Sequence, residues 1–138
     1  HPLGRRIPMA EGPDDYLLSH PDAVTEQGAL TLFSQVEAGE QLQLMSGSIE
    51  GLVNRAQRVL DNACQLLPVD EQPQGTLMIY CAGCMLTIGE QVNVMVEQIQ
   101  RHSGVPVLVL YTSGEQGCFV DGSNRHGNLM ISAGGFGQ

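Results

Sequence analysis

The sequence predicts an α+β fold: a two-layer domain with a mixed sheet, in the order β-β-β-α-β-α-β-β, containing a central parallel β-α-β unit. Three observations predict it. Residues 48–67 carry an apolar stripe at helical spacing. Two short, almost wholly apolar runs, 76–82 and 105–111, flank a second helical pattern at 88–103. Ahead of these, only short alternating or apolar runs occur, broken by proline, glycine and acids.

The elements follow in order. Residues 8–28 read as loop around one short extended piece at 16–19. "ALTLFSQ" (29–35) and the alternating "QLQLMS" (41–46) read as strands that form an antiparallel hairpin around Gly39. In the helix at 48–67, Ile49, Leu52, Val53, Ala56, Val59, Leu60, Ala63, Cys64 and Leu67 make the buried face. Ser48 is its N-cap and Pro68 ends it. Cys64 lies in the stripe and reads as a small core residue. "TLMIYCA" (76–82) is continuously apolar, as a strand buried on both faces would be. Thr87 and Glu90 have the spacing of a capping box for a helix at 88–103, whose buried face is Ile88, Val92, Met95, Val96 and Ile99. Gly104 closes that helix in a left-handed cap. "VPVLVLY" (105–111) and "GNLMISA" (127–133) are the last strands, and "GGFGQ" frays. Two strands joined by a helix are parallel. This applies to 76–82 and 105–111, and by the same pattern to 41–46 and 76–82.

Composition narrows the function. The chain has 138 residues, 42% hydrophobic, with a formal net charge of −9. All six basic residues are arginines. An acidic chain without clustered cations is a poor partner for nucleic acid or an anionic membrane surface, and the pair Arg5 and Arg6 reads as a solvated strand end. No apolar run approaches a membrane span. The chain opens on "HPLGRRIP", without methionine or an apolar leader, so His1 reads as a cut inside a longer protein. Four cysteines, unevenly spaced, do not make a secreted disulfide scaffold, which points to a reducing, cytoplasmic compartment.

Parallel strands end on one edge of a sheet. The segments "CAGCMLT" and "TSGEQGCF" are therefore expected side by side, where open α/β sheets bind ligands. That edge is expected to hold Cys81, Gly83, Cys84, Gly114, Glu115, Gly117 and Cys118. Glycines admit close backbone approach, and a helix N-terminus aimed there favours a small anion such as a carboxylate. Glu115 either receives an amino group or accepts backbone hydrogen bonds that hold its turn. The connection 112–126 is long for a strand connection, and structureless loops near this length are usually functional or disordered. In it, His126 is either a ligand contact or a hydrogen-bonded structural residue. Cys81-Ala82-Gly83-Cys84 has three readings: a strand end with incidental cysteines, a redox pair, or half of a zinc site completed by Cys118 and His126. The capping signal at Thr87 and the absence of the usual neighbouring aromatic and proline favour the first. No nucleophile elbow, P-loop or dinucleotide fingerprint is present, so no catalytic residue, cofactor or resident metal is assigned.

The runs "GTLMIYCAGCMLTIGEQVNVMVEQI", "GVPVLVLYTSGEQG" and "RHGNLMISAGGF" resemble the C-terminal half of FIST domains. "HPLG" and "GALTLFSQVEAGEQLQLM" are similar to the start of that half, so the likeness spans essentially all of 1–138. The resemblance implies a sensory module of bacterial signal transduction that binds a small polar metabolite, amino acids being a common suggestion. It also implies a preceding N-terminal FIST half and a signalling output protein or domain as partners. Cys81, Gly83, Gly114, Glu115 and Gly117 match positions the family favours. Cys84 stands where the family usually has arginine, and Cys118 where it has proline. Two other functions stay open. One is a thiol-based redox or metal switch using Cys81, Cys84 and Cys118. The other is a protein-interaction module, as in F-box adaptors that carry a similar domain.

Overall fold

The helix read most directly from the sequence forms as expected. In the computed structural model, which describes residues 1–9, 13–119 and 121–138, α1 spans Ile49–Gln65. The Gly51 amide donates to the Ser48 hydroxyl at 3.0 Å, which satisfies one of the orphan donors of the first turn. Val53, Ala56, Leu60 and Ala63 form its buried face. The chain divides into two units, Ser48–Ser113 with Ile131–Gln138, and His1–Gly47 with Gly114–Met130.

In the first of these, α1 is followed by β6 (Pro73–Cys81), α2 (Ala82–Ile88), α3 (Gln91–Ser103), β7 (Val107–Thr112) and β10 (Ile131–Gly137), counting strands along the whole chain. The sheet order is β10-β6-β7. β6 and β7 are parallel and in register from Thr76↔Val107 to Cys81↔Thr112. This is the expected β-α-β unit, and it makes the sheet mixed, because β10 runs antiparallel to β6. β6 is packed on one face: Thr76, Met78 and Tyr80 are buried, while Leu77 and Ile79 are only half-buried. Their register partners Leu108 and Leu110 are 61% and 43% exposed, and Phe136 on β10 is 59% exposed. The expectation of burial on both faces is thus corrected, because the helices of this unit cover one side.

The expected helix at 88–103 is also corrected. α2 begins directly after Cys81, stops at Gly89 with φ +54, and α3 starts afresh at Gln91. Thr87 does not cap: its hydroxyl donates back to the Gly83 carbonyl at 2.8 Å inside α2. Gly104 takes the left-handed cap as expected. "GGFGQ" does not fray. β10 pairs with β6 down to Gly137, and Gln72 and Gln138 exchange backbone hydrogen bonds at 3.2 Å. Gly135 lies close under α1: a Cβ there would be 3.2 Å from the Ala63 carbonyl oxygen.

The other unit is built of β1 (Leu3–Ile7), β2 (Asp15–Ser19), β3 (Pro21–Val24), β4 (Leu30–Leu32), β5 (Leu42–Leu44), β8 (Glu115–Cys118) and β9 (Asn124–Gly127). β1 lies between β2 and β5, antiparallel to both. The expected hairpin between 29–35 and 41–46 does not form. β4 pairs with β3, and β5 pairs with β1. The proposed parallel pairing of 41–46 with 76–82 fails with it, since β5 and β6 belong to different sheets. The loop 112–126 contains the β8–β9 hairpin, and 127–133 is not one strand: Gly127 ends β9, Leu129 has φ +55, and β10 starts at Ile131. Ile7, Leu17 and Met130 form a small cluster with Met9 and Phe119 against it. Among the described residues the order is therefore five strands, α1, β6, two helices and four strands, in four small sheets.

Two adjacent glycines separate packing from strand propensity. Gly135→Ala presses a methyl on the backbone of α1 and is expected to destabilise by about 1–3 kcal/mol. Gly134, with nothing within 4 Å of its would-be Cβ, accepts alanine within about 0.5 kcal/mol. Denaturant titration of both variants reads the difference.

Candidate functional site

The parallel ladder brings the carboxyl ends of β6 and β7 to one edge, with Cys81 beside Thr112 in register. The chain then turns straight into α2. Cys81 is the residue before the helix, with extended φ −59 and ψ 128, and Gly83 and Cys84 fall in the first turn. Cys81 is 7% exposed and Cys84 1%. The thiols at this edge are thus inside the fold.

Next to them on β6, Tyr80 is completely buried. Its hydroxyl donates to the Leu52 carbonyl of α1 at 3.3 Å, and its ring meets Tyr111 edge-on at 6.0 Å. Burial pushes the Tyr80 phenol far above its ordinary value. Neighbouring Cys84, Tyr111 and Cys81 push the same way, and Arg55 opposes them. Tyr80 stays protonated and remains a donor. Sequence reading took it only as an apolar strand residue; its place in a buried face beside an i+1 cysteine was the available signal.

The remaining expected residues lie in the β8–β9 hairpin of the other unit. Gly114 has φ +78, which a side chain rarely adopts, and the His126 Nε2 atom would be 3.1 Å from a Cβ there. His126 is exposed and pairs across the hairpin with Gln116. Glu115 is 1% exposed and sits opposite Gly127. Gly117 faces Arg125, and the exposed Cys118 faces Asn124. The hairpin end is fixed by Asp121, whose carboxylate accepts two bonds of 2.7 Å from the Arg125 guanidinium and one of 3.0 Å from the Ser123 amide. Arg125 also lies 4.9 Å above the Phe119 ring. Among the described residues, which include all four cysteines, there is no disulfide. Nor is there, among the described residues, a group of three or more His, Cys, Asp or Glu able to hold a metal ion.

Sequence reading did not find the polar hollow between two helices. An open hollow of about 420 Å³ between α1 and α3 is lined by Asn54, Gln57, Gln98, Arg101 and His102. His102 bridges the helices, its Nε2 2.8 Å from Asp61 Oδ1 and its Nδ1 3.3 Å from the Gln57 amide nitrogen. Asp61 and His102 lie on the polar faces of helices in different parts of the sequence, so no local spacing marks the pair.

The Arg125 hydrogen bonds, followed by the Ser123 amide, hold the Asp121 carboxyl far below the ordinary value of 3.8. A depressed folded-state pKa gives stability that is present above the unfolded value and lost as pH falls through the folded one. The hairpin end is therefore expected to stay ordered as pH passes 3.8 and to loosen only in stronger acid. Arg125→Gln is expected to return the Asp121 midpoint to near that ordinary value, read by an NMR titration of the side-chain carboxyl.

Among the described residues, no helix is long and apolar enough to cross a membrane. No curated protein and no solved structure matches the chain. The family model of the FIST C domain matches residues 1–118. With its parallel pair closing the expected β-α-β unit, the chain belongs to the FIST C domain family, whose assigned role is sensing in signalling proteins.

Proposed function

We propose that this chain is a non-enzymatic sensory domain that binds a small polar metabolite, with amino acids the leading class, at the edge where β6 and β7 end. The observation that carries the reading is the in-register parallel pair ending at Cys81 and Thr112, since ligands of parallel sheets gather beyond their carboxyl ends. Thr112 and Ser113 supply hydroxyl groups at that edge, and Gly83 offers backbone without a side chain. The bound state is passed to a signalling output protein or domain. Glu115 and His126 are the polar side chains of the β8–β9 hairpin whose part in binding is to be tested separately.

A thermal-shift screen of amino acids followed by calorimetry tests the reading. At least one amino acid is expected to raise Tm. Thr112→Val, which keeps the strand and removes one hydroxyl, is expected to weaken binding about fivefold, or about 1 kcal/mol. No shift across the panel would sink the proposal. Binding that survives Thr112→Val and vanishes in His102→Ala would move the ligand to the hollow between α1 and α3. Glu115→Gln and His126→Ala measure what the hairpin adds.

A second reading, as a protein-interaction module, is favoured by the open face of the β10-β6-β7 sheet. Leu77, Ile79, Leu108, Leu110 and Phe136 make it apolar and uncharged. Parallel pairs are ordinarily covered on both faces. We take the N-terminal FIST half as the partner for this face. Leu108→Asp with Leu110→Asp is expected to abolish capture of a separately produced N-terminal half while circular dichroism stays unchanged; undiminished capture would remove this reading.

A further inference from the structure

β6 ends where α2 begins, and the two side chains that frame that turn are both cysteines. Cys81 is the capping residue and Cys84 stands three positions later, in the first turn. Side chains at these two positions lean over the same turn, which is why a Ser/Thr-x-x-Glu box can close there with reciprocal hydrogen bonds. Their Cα atoms are on the order of 5 Å apart by helix geometry, within the span that disulfides bridge. The start of α2 at Ala82 also removes one of the two reasons for treating the cysteines as incidental, a helix beginning only after Thr87; the other, the absence of the usual aromatic and proline, stands.

We propose that Cys81 and Cys84 are a reversible dithiol–disulfide pair, oxidised by a hydroperoxide. The oxidant must be close to water in size, because the two residues are 7% and 1% exposed. Cys81, the more accessible, reacts first. Its thiolate attacks one peroxide oxygen, the O–O bond breaks, and the other oxygen leaves with a proton as water or alcohol. The resulting sulfenic acid is attacked by the Cys84 sulfur. The S–S bond forms, the S–O bond breaks, and hydroxide leaves as water with the Cys84 proton. In sum, two thiols lose two protons and two electrons, and the peroxide is reduced by two electrons. A small dithiol reverses the step by exchange.

The remaining cysteines are placed differently. Cys64 is half-buried in α1, and burial, with Asp61 beside it, raises its thiol pKa and keeps it from the thiolate. Cys118 is exposed on β8. A bridge across one helical turn closes a short loop that the fold already holds, so oxidation leaves β6 in register. The pair stands whether or not a metabolite binds at the same edge.

The test treats the folded chain with a small excess of hydrogen peroxide, unfolds it in the presence of an alkylating agent, and maps peptides by mass spectrometry. The peptide holding Cys81 and Cys84 is expected to lose the mass of two hydrogens, to escape alkylation, and to be recovered in full by a dithiol reductant. Cys118→Ser is expected to change none of this, and circular dichroism to stay native throughout. Cys84→Ser is expected to leave a sulfenic acid on Cys81 that a dimedone-type probe traps. Alkylation of both cysteines after peroxide treatment, conversion of either to sulfinic acid without a bridge, or a bridge only to Cys118 would overturn the proposal.

Discussion

Parallel pairing of β6 with β7 is the constraint from which the rest of its unit follows. Antiparallel neighbours can be joined by a tight turn, but parallel ones need a crossover long enough to return the chain to the starting edge. Here α2 and α3 supply it, with the break at Gly89 letting the crossover change direction. Once β6 and β7 lie in register, Cys81 and Thr112 must share an edge. The helices pack on the face of Thr76, Met78 and Tyr80, and β10 pairs along the edge of β6 away from β7. Gly135 then lets β10 pass close beneath α1.

That constraint was legible because both its ingredients are local. Runs 76–82 and 105–111 are almost wholly apolar, and the stripe of α1 repeats along a 17-residue helix with a serine cap in front. What was not legible depends on distant partners. β4 and β5 are three residues each, and nothing in "LTL" or "LQL" says which strand it joins. β1 carries two arginines and looked solvated, yet Arg5 reaches the Gln35 carbonyl at 3.0 Å and Glu40 at 3.2 Å, and Arg6 pairs with Asp14. Those charges are anchored by groups the sequence does not place beside them. The β8–β9 hairpin has no apolar alternation at all; "EQGC" and "NRHG" are held by a ladder and by the Asp121–Arg125 fork.

The error at α2 has a different origin. Sequence rules find a helix start by its cap, and position 81 holds cysteine rather than Ser, Thr, Asp or Asn. Thr87 and Glu90 fit the template better and drew the boundary forward. In the fold, Thr87 spends its hydroxyl on Gly83, four residues back. The turn at Cys81 forms without a side-chain cap because β6 and the buried face around Tyr80 already fix the chain there. Tertiary packing overrides the local signal, and the candidate site is where that happens.

Burial also limits which side chains residue 84 can hold. An arginine on an exposed loop is a contact for a carboxylate, and its replacement by cysteine would be a simple loss of charge. At a position 1% exposed, a guanidinium needs a matched anion or it costs several kcal/mol, whereas a thiol packs as a small apolar group. With cysteine at 84, the turn holds a small side chain that needs no counter-ion, beside a phenol that burial keeps protonated. A charged ligand at this edge would therefore meet backbone and hydroxyl dipoles first, from Gly83, Thr112 and Ser113, rather than a counter-ion. On the reading proposed above, recognition would rest on hydrogen-bond geometry at the strand ends, at the edge where Cys81 lies in register with Thr112.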